Sequence, residues 1–148
     1  MKIGVIFFHK NIKKIYKDRW IEKCVNSILT QTHKDFHIYE INYGNEDYSV
    51  MDGKKFENKH FYKEDLVNYA DAMNFIITKA FQDGCDYVFN TNLDDFYDET
   101  RIEKQIKILE QGYDIVSSDF CYIKDNNAGG DDIILHKRIC DYGSIMIN

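Results

Sequence analysis

The feature that most constrains this chain is an alternation between continuous apolar runs of strand length and segments whose apolar residues recur at helical spacing. The run "KIGVIFF" is apolar and branched throughout, as a strand buried on both faces requires. Trp20, Ile21, Cys24, Val25, Ile28 and Leu29 then fall on one stripe of a helix spanning residues 19–30. A second strand reads at "FHIYEIN", closed by the turn residues Tyr43, Gly44 and Asn45. Residues 46–64 are polar and aromatic without a period, and read as a loop with a short strand near "KHFY". Leu66, Ala70, Met73, Ile77 and Ala80 mark a helix from Leu66 to Phe81, with Asp65 as its cap and Gly84 just past its end. The strand "DYVFNT", a helix over Glu99–Gln111 and the strand "DIVSSDF" follow. After them "KDNNAGGDD" reads as a Gly-rich turn, and "IILHKRICDYGSIMIN" offers two further short strands.

Strand and helix in alternation predict an α/β fold: a mostly parallel sheet with helices on both faces. Ligands of such sheets bind outside the carboxyl ends of the strands. This rule turns scattered polar residues into one candidate site. The first strand ends at His9, Lys10 and Asn11; the second at Asn42, Tyr43, Gly44 and Asn45; the third at Asn90, Asn92, Asp94 and Asp95.

Composition narrows the partners. With 148 residues, 44% of them hydrophobic and 15% aromatic, the chain can bury a core as one domain. A net charge of -6 with scattered lysines argues against nucleic acid as a partner. No apolar stretch approaches the roughly 20 residues of a transmembrane segment. "MKIGVIFFHK" is too short for a signal peptide, and the expected location is cytoplasmic. Cys24, Cys85, Cys121 and Cys140 lack metal-ligand spacing and lie in apolar segments, as buried free thiols do.

The carboxyl edge must handle phosphate without the usual devices. No G-x-G-x-x-G follows the first strand, and no G-x-x-x-x-G-K-[ST] exists anywhere in the chain. The remaining route is a divalent metal, Mn or Mg, held by one or two carboxylates and completing its shell with phosphate oxygens. Asp94 and Asp95 are the donors at hand. Taken alone, the pair reads more simply as an acidic turn before a helix, and Asp98 as a helix cap.

Context favours the metal. "RWIEKCVNSILTQTHKDFHIYEINYGNED" resembles the opening of a family-two glycosyltransferase, in which a helix ending S-I-L-x-Q-T precedes the second strand and a D-D-G-S turn. "YADAMNFIITKAFQDGCDYVFNTNLDDFYDETRIEKQI" resembles the next part: an A-x-N helix, a Gly, a strand, the D-x-D-D motif and a helix beginning R-I-E. "YDIVSSDF" is similar to the strand that follows. The resemblance runs in order over nearly the whole chain. It implies a single GT-A-type domain over residues 1–148, the nucleotide-diphospho-sugar transferase fold, lacking a C-terminal acceptor-binding part.

The resemblance also implies roles. Asp94 is the metal ligand that meets the donor diphosphate, and Asp95 supports it or faces the sugar. Asn92 stands where the family has an Asp that bonds the ribose; an amide still bonds a hydroxyl, with one charge fewer. The D-D-G-S turn is replaced by Asn42, Tyr43, Gly44 and Asn45, so a carboxylate that reads the base is missing. Tyr43 either stacks on the base or faces solvent from the turn. Asn74 of the A-x-N helix either meets the donor or bonds neighbouring backbone, and its usual Arg neighbour is Met73. His9 touches the base or closes the strand, Asn11 follows it at the same edge, and Lys10 offsets phosphate charge or faces solvent. Gln31 and Thr32 match the family, and read more simply as ending the first helix than as touching ligand.

The implied reaction is an inverting transfer from a nucleoside-diphosphate sugar donor to a hydroxyl acceptor on a glycan, lipid or protein, dependent on metal. Its general base has no assignment; Asp119, Asp131, Asp132 and His136 are candidates, with Asp131 and Asp132 read more simply as part of a solvated turn. Two other classes compete. A sugar nucleotidyltransferase would want a Gly-rich basic loop after the first strand, which "FFHKNIKK" lacks. A non-catalytic module that binds a nucleotide-sugar or a protein would account for Asn92, Tyr43 and the missing base.

Overall fold

The computed structural model describes residues 1–118 and, beyond them, the backbone of residues 122–125, 131–134 and 146–147. Strand β1 (Ile3–His9) leads through a short 3-10 turn at Ile12–Lys14 to helix α1 (Asp18–Leu29). Strands β2 (His37–Asn42) and β3 (Lys59–Lys63), helix α2 (Tyr69–Gln82), strand β4 (Tyr87–Asn90) and helix α3 (Arg101–Leu109) follow. Short strands β5 (Ile115–Val116), β6 (Tyr122–Asp125), β7 (Asp131–Ile134) and β8 (Met146–Ile147) complete the order.

The main sheet runs β3-β2-β1-β4-β8-β5, while β6 and β7 form a separate antiparallel pair. β1 lies between β2 and β4, parallel to both, and β2 is parallel to β3. β8 is antiparallel to both β4 and β5. The expected α/β architecture is therefore present. Every residue of β1 except Phe8 is buried, because helices cover both its faces.

Each face has its own core. α1 turns Ile21, Cys24, Val25 and Ile28 onto Val5, Phe7, Ile38 and Phe89, and α3 adds Ile102, Ile106 and Leu109 to the same cluster. On the other face α2 packs Ala72, Met73, Ile76 and Ala80 against Ile6, Tyr39, Ile41 and Val88. Burying an Ile or Leu side chain stabilises by about 1.5–3 kcal/mol, so these stripes fix the helices to the sheet. α2 sits close because Gly4 lacks a side chain: a Cβ there would lie 3.4 Å from Ala80 Cβ of α2 and 3.2 Å from Cys85 Sγ.

Three local expectations are corrected. The cap of α2 is Asn68, whose side-chain oxygen accepts from the Asp71 amide at 2.9 Å, and not Asp65. Leu66 and Val67 belong to the approach, where Val67 is 85% exposed, so apolar spacing overran the true start. Of "DIVSSDF" only Ile115–Val116 is strand, and Asp119 and Phe120 lie outside the described residues. Asp131 and Asp132 are not in a turn but in β7, because antiparallel pairing with Asp125 and Lys124 of β6 reaches them. Gly84 does lie past the end of α2, at φ +87, a left-handed backbone that Gly adopts without penalty. Cys24 and Cys85 are buried free thiols, while Cys121 and Cys140 lie outside the described residues.

Candidate functional site

The carboxyl end of β4 is built first from backbone. Thr91 is buried and donates its hydroxyl to the Ile6 carbonyl at 2.6 Å, tying the exit of β4 to β1. The Asn92 amide donates to the Tyr97 hydroxyl at 2.9 Å, and the Asp95 amide returns to the Asn92 carbonyl at 3.1 Å. Residues 92–95 thus close as a turn that leaves Asp94 exposed and Asp95 partly so. Asn92 Nδ2 donates to Asp95 Oδ2 at 3.2 Å. An Asp at position 92 would set a third carboxylate against that oxygen; the amide replaces repulsion with a hydrogen bond.

Residues outside the motif hold this turn in place. Gln31, fully buried just past α1, donates Nε2 to the carbonyls of Ser27 at 2.9 Å and Asp98 at 2.7 Å, and its Oε1 accepts from the Ile102 amide at 3.0 Å. The Thr32 amide donates to the Glu99 carbonyl at 2.8 Å. Arg101, the first residue of α3, sends Nη2 to the Asn90 carbonyl at 3.1 Å and lies 4.2 Å from the Tyr97 ring centre. Gln31 therefore does more than end a helix: it fastens α1 to the segment that carries the aspartates. Gln31 at the end of the first helix and Arg101 at the start of the R-I-E helix were legible in the sequence, but the partners of each, Asp98 and Ile102 for Gln31 and Asn90 for Arg101, needed the tertiary fold.

The electrostatics are those of an acidic edge backed by one buried cation. The Cys24 thiol is raised far above its ordinary range, first by burial and then by Asp95, with Arg101 opposing. It stays protonated and donates to the Asn92 carbonyl at 3.3 Å. Burial, then Asp94 and Asp95, raise the Tyr16 hydroxyl. Burial also lowers Arg101, against the pull of Tyr97, Cys24 and Asp95.

The ends of β1 and β2 form the adjoining wall. His9 is buried and its Nε2 lies 2.7 Å from Glu40 Oε1, so it closes the strand from inside. Glu40 also accepts from the Val50 amide and the Ser49 hydroxyl, each at 2.7 Å, fixing the loop after β2. Asn42 is fully buried and spends its side chain on that loop, donating to the carbonyls of Glu46 at 2.7 Å and Tyr48 at 2.9 Å and accepting from Gly44 N at 3.0 Å. Asn11 takes a left-handed backbone at φ +52, and its Oδ1 accepts from the Asn45 amide at 3.2 Å. Gly44 permits that approach: a Cβ there would lie 2.7 Å from Asn11 Oδ1 and 2.9 Å from Asn11 N. Tyr43 is partly exposed, with Lys10 Nζ 5.7 Å from its ring centre.

The structure thus brings His9, Asn11, Asn42 and Tyr43 together in one group and Asn92, Asp94 and Asp95 in another, on the neighbouring strands β1, β2 and β4. Asn74 stands apart, exposed on α2. The side chains of Asp119, Asp131, Asp132 and His136 lie outside the described residues. Among the described residues no helix is long and apolar enough to cross a membrane.

A mostly parallel sheet with helices on both faces defines this as an α/β domain of GT-A type. The chain belongs to glycosyl transferase family 2, whose model matches residues 14–139. Among solved structures it is similar to S. aureus TarS 1-349, with a TM-score of 0.60 and 17% identity over 78% of this chain and 34% of that one. The same protein in complex with UDP gives 0.60 and 18% identity over 78% and 34%. A further S. aureus TarS structure gives 0.56 and 15% over 75% and 20%. The chain spans about a third of the first two and a fifth of the third. No curated protein matches it.

Proposed function

We propose that this chain takes part in inverting transfer of a sugar from a nucleoside-diphosphate sugar to a hydroxyl acceptor, with Mn²⁺ or Mg²⁺ held at Asp94 and Asp95. The observation that carries the reading is the turn at residues 92–95: two carboxylates with access to solvent, on a segment fastened to β1 by Thr91 and to α1 by Gln31. The donor set fits a hard divalent ion, being carboxylate oxygens beside an amide, while the nearby thiol is protonated and bonded to a carbonyl. Such an ion, when bound, neutralises charge that develops on the departing diphosphate.

The chain's own residues position the donor. Asn92 orients the Asp95 carboxylate and leaves Asp94 free to turn outward. Lys10, exposed just past β1 with its Nζ 5.7 Å from the Tyr43 ring centre, adds positive charge at this edge, and Tyr43 offers a ring to the base. Because Asn42 is consumed by its own loop, the base meets Tyr43 and backbone groups at this edge. UDP, named in the TarS complex, is the first nucleotide to test.

The test is thermal unfolding with UDP, GDP, dTDP and CDP, each with Mn²⁺, with Mg²⁺ or with excess EDTA, since a ligand that binds only the folded state raises its stability by mass action. Nucleotide and metal together should stabilise more than the sum of their separate effects. Equal shifts in EDTA would overturn the metal-dependent reading, and release of free sugar or transfer to an acceptor would separate an enzyme from a binding module.

A further inference from the structure

Far from the aspartate turn, at the amino edge of the sheet, three ligand-bearing side chains meet. His37 opens β2, and His60 on β3 lies opposite Tyr39 in register, so all three rings share one face. Asp83 caps the carboxyl end of α2, which packs on that face. His37 Nδ1 is 3.2 Å from His60 Nε2, and His60 Nε2 is 3.8 Å from Asp83 Oδ2. One ligand atom from each residue lies within 4.8 Å of the others. We propose that these residues form a second metal site, for Zn²⁺, distinct from Asp94 and Asp95.

Three lines of chemistry support it. Two imidazoles on one tetrahedral Zn²⁺, at Zn–N of about 2.0–2.1 Å, hold their nitrogens about 3.3–3.4 Å apart, close to the separation observed. The ring planes are inclined by 14° with centres 5.5 Å apart, and a swing of each ring turns both facing nitrogens toward one ion. Without metal, one ring donates its N–H to the other across that gap. With metal, the two facing nitrogens would be the ligand atoms and each ring would carry its proton on the far nitrogen. Stacking on Tyr39, with ring centres 4.6 Å apart and planes within 10°, holds His60 in place beforehand.

Asp83 makes the site selective. Its Oδ2 accepts from the Tyr39 hydroxyl at 2.5 Å and from Lys2 Nζ at 2.8 Å. The Lys2 ammonium is the cation that Zn²⁺ must displace, and both groups are exposed enough to part. Two imidazoles and one carboxylate leave a fourth position open, and they suit zinc rather than the Mg²⁺ or Mn²⁺ expected at an all-oxygen site. The ion would join β2, β3 and the end of α2.

The experiment is competition of the full chain with a zinc-binding dye, together with the visible absorption of bound Co²⁺. The wild type should bind one Zn²⁺ that survives Asp94→Asn combined with Asp95→Asn, and its Co²⁺ form should show the intense bands of tetrahedral coordination. His37→Gln and His60→Gln, both at partly exposed positions, should weaken binding at least tenfold while circular dichroism stays unchanged. Lys2→Met should tighten it several-fold, an effect that a general loss of structure cannot produce. Undiminished zinc affinity in folded His60→Gln would overturn the site. So would zinc binding lost on replacing Asp94 and Asp95 alone, or no binding by the wild type at 100 molar equivalents of zinc.

Discussion

Replacing Gln31 by Ala tests whether the aspartate turn is held from behind. The side chain is fully buried and makes three hydrogen bonds, two donated and one accepted. Each contributes about 0.5–1.5 kcal/mol net, and the Ile102 amide, itself buried, would be left without its side-chain partner at about 1–3 kcal/mol. These terms overlap, so a total loss of about 2–4 kcal/mol is expected. In a domain of this size that lowers the melting temperature by about 5–15 °C. Urea unfolding should show a lower midpoint at an unchanged slope. Gln31→Glu refines the test. It keeps an acceptor for Ile102 but faces the carbonyls of Ser27 and Asp98 with oxygen instead of N–H, so burial should raise the folded carboxyl above its unfolded value of about 4.3. The folded state then binds more protons, and the variant should be most stable below about pH 4 and lose stability as pH rises through the folded value. A Gln31→Ala penalty under about 1 kcal/mol, or a Gln31→Glu variant that gains stability toward neutral pH, would refute the assignment.

Four further outcomes follow. Asp94→Asn should leave the fold intact and remove metal-dependent nucleotide binding, read by titration of the folded variant; binding retained at wild-type strength would count against the metal role. Tyr97→Phe should cost about 1–2 kcal/mol in urea unfolding, since the Asn92 amide loses its acceptor. Gly44→Ala should cost about 1–3 kcal/mol by the same measurement, because its Cβ must push Asn11 aside. The Asp83 carboxyl is held down to about 2, first by the Lys2 hydrogen bond and then by Tyr39. The folded value lies below the unfolded one, so this stabilisation is complete above about pH 4 and fades as pH falls toward 2; Asp83→Asn should flatten that limb of an acid titration.

What could be read from the chain was what repeats or what is local. The strand of residues 3–9 and the stripe from Ile21 to Ile28 declare themselves by period, and the order of strands and helices follows. Asp94 and Asp95 stand out in the sequence because a sheet of this kind gathers its strand ends on one edge. Period failed at Leu66, where apolar residues continue outside the helix, and at Asp131, where turn-forming composition runs into a strand. Long-range partnership was invisible in principle. Nothing near Gln31 announces Asp98, 67 positions away, and nothing near His9 announces that Glu40 waits 31 positions on. Asn42 shows the same gap from the other side: placed at the expected edge, it is occupied by Glu46, Tyr48 and Gly44.

The central position of β1 has a consequence for how the chain acquires its shape. Its partner β2 follows after one helix, but its other partner pairs Ile3 with Tyr87, across most of the described sequence. Parallel pairs of such separation form late, because loop-closure entropy is lost before contacts repay it. During synthesis the first strand therefore emerges with one flank exposed and waits for residues 87–90 before the sheet can close around it. A pulse-labelling experiment should find amides of β1 and β2 protected before those of β4, with the turn at residues 92–95 gaining order in the same step as β4.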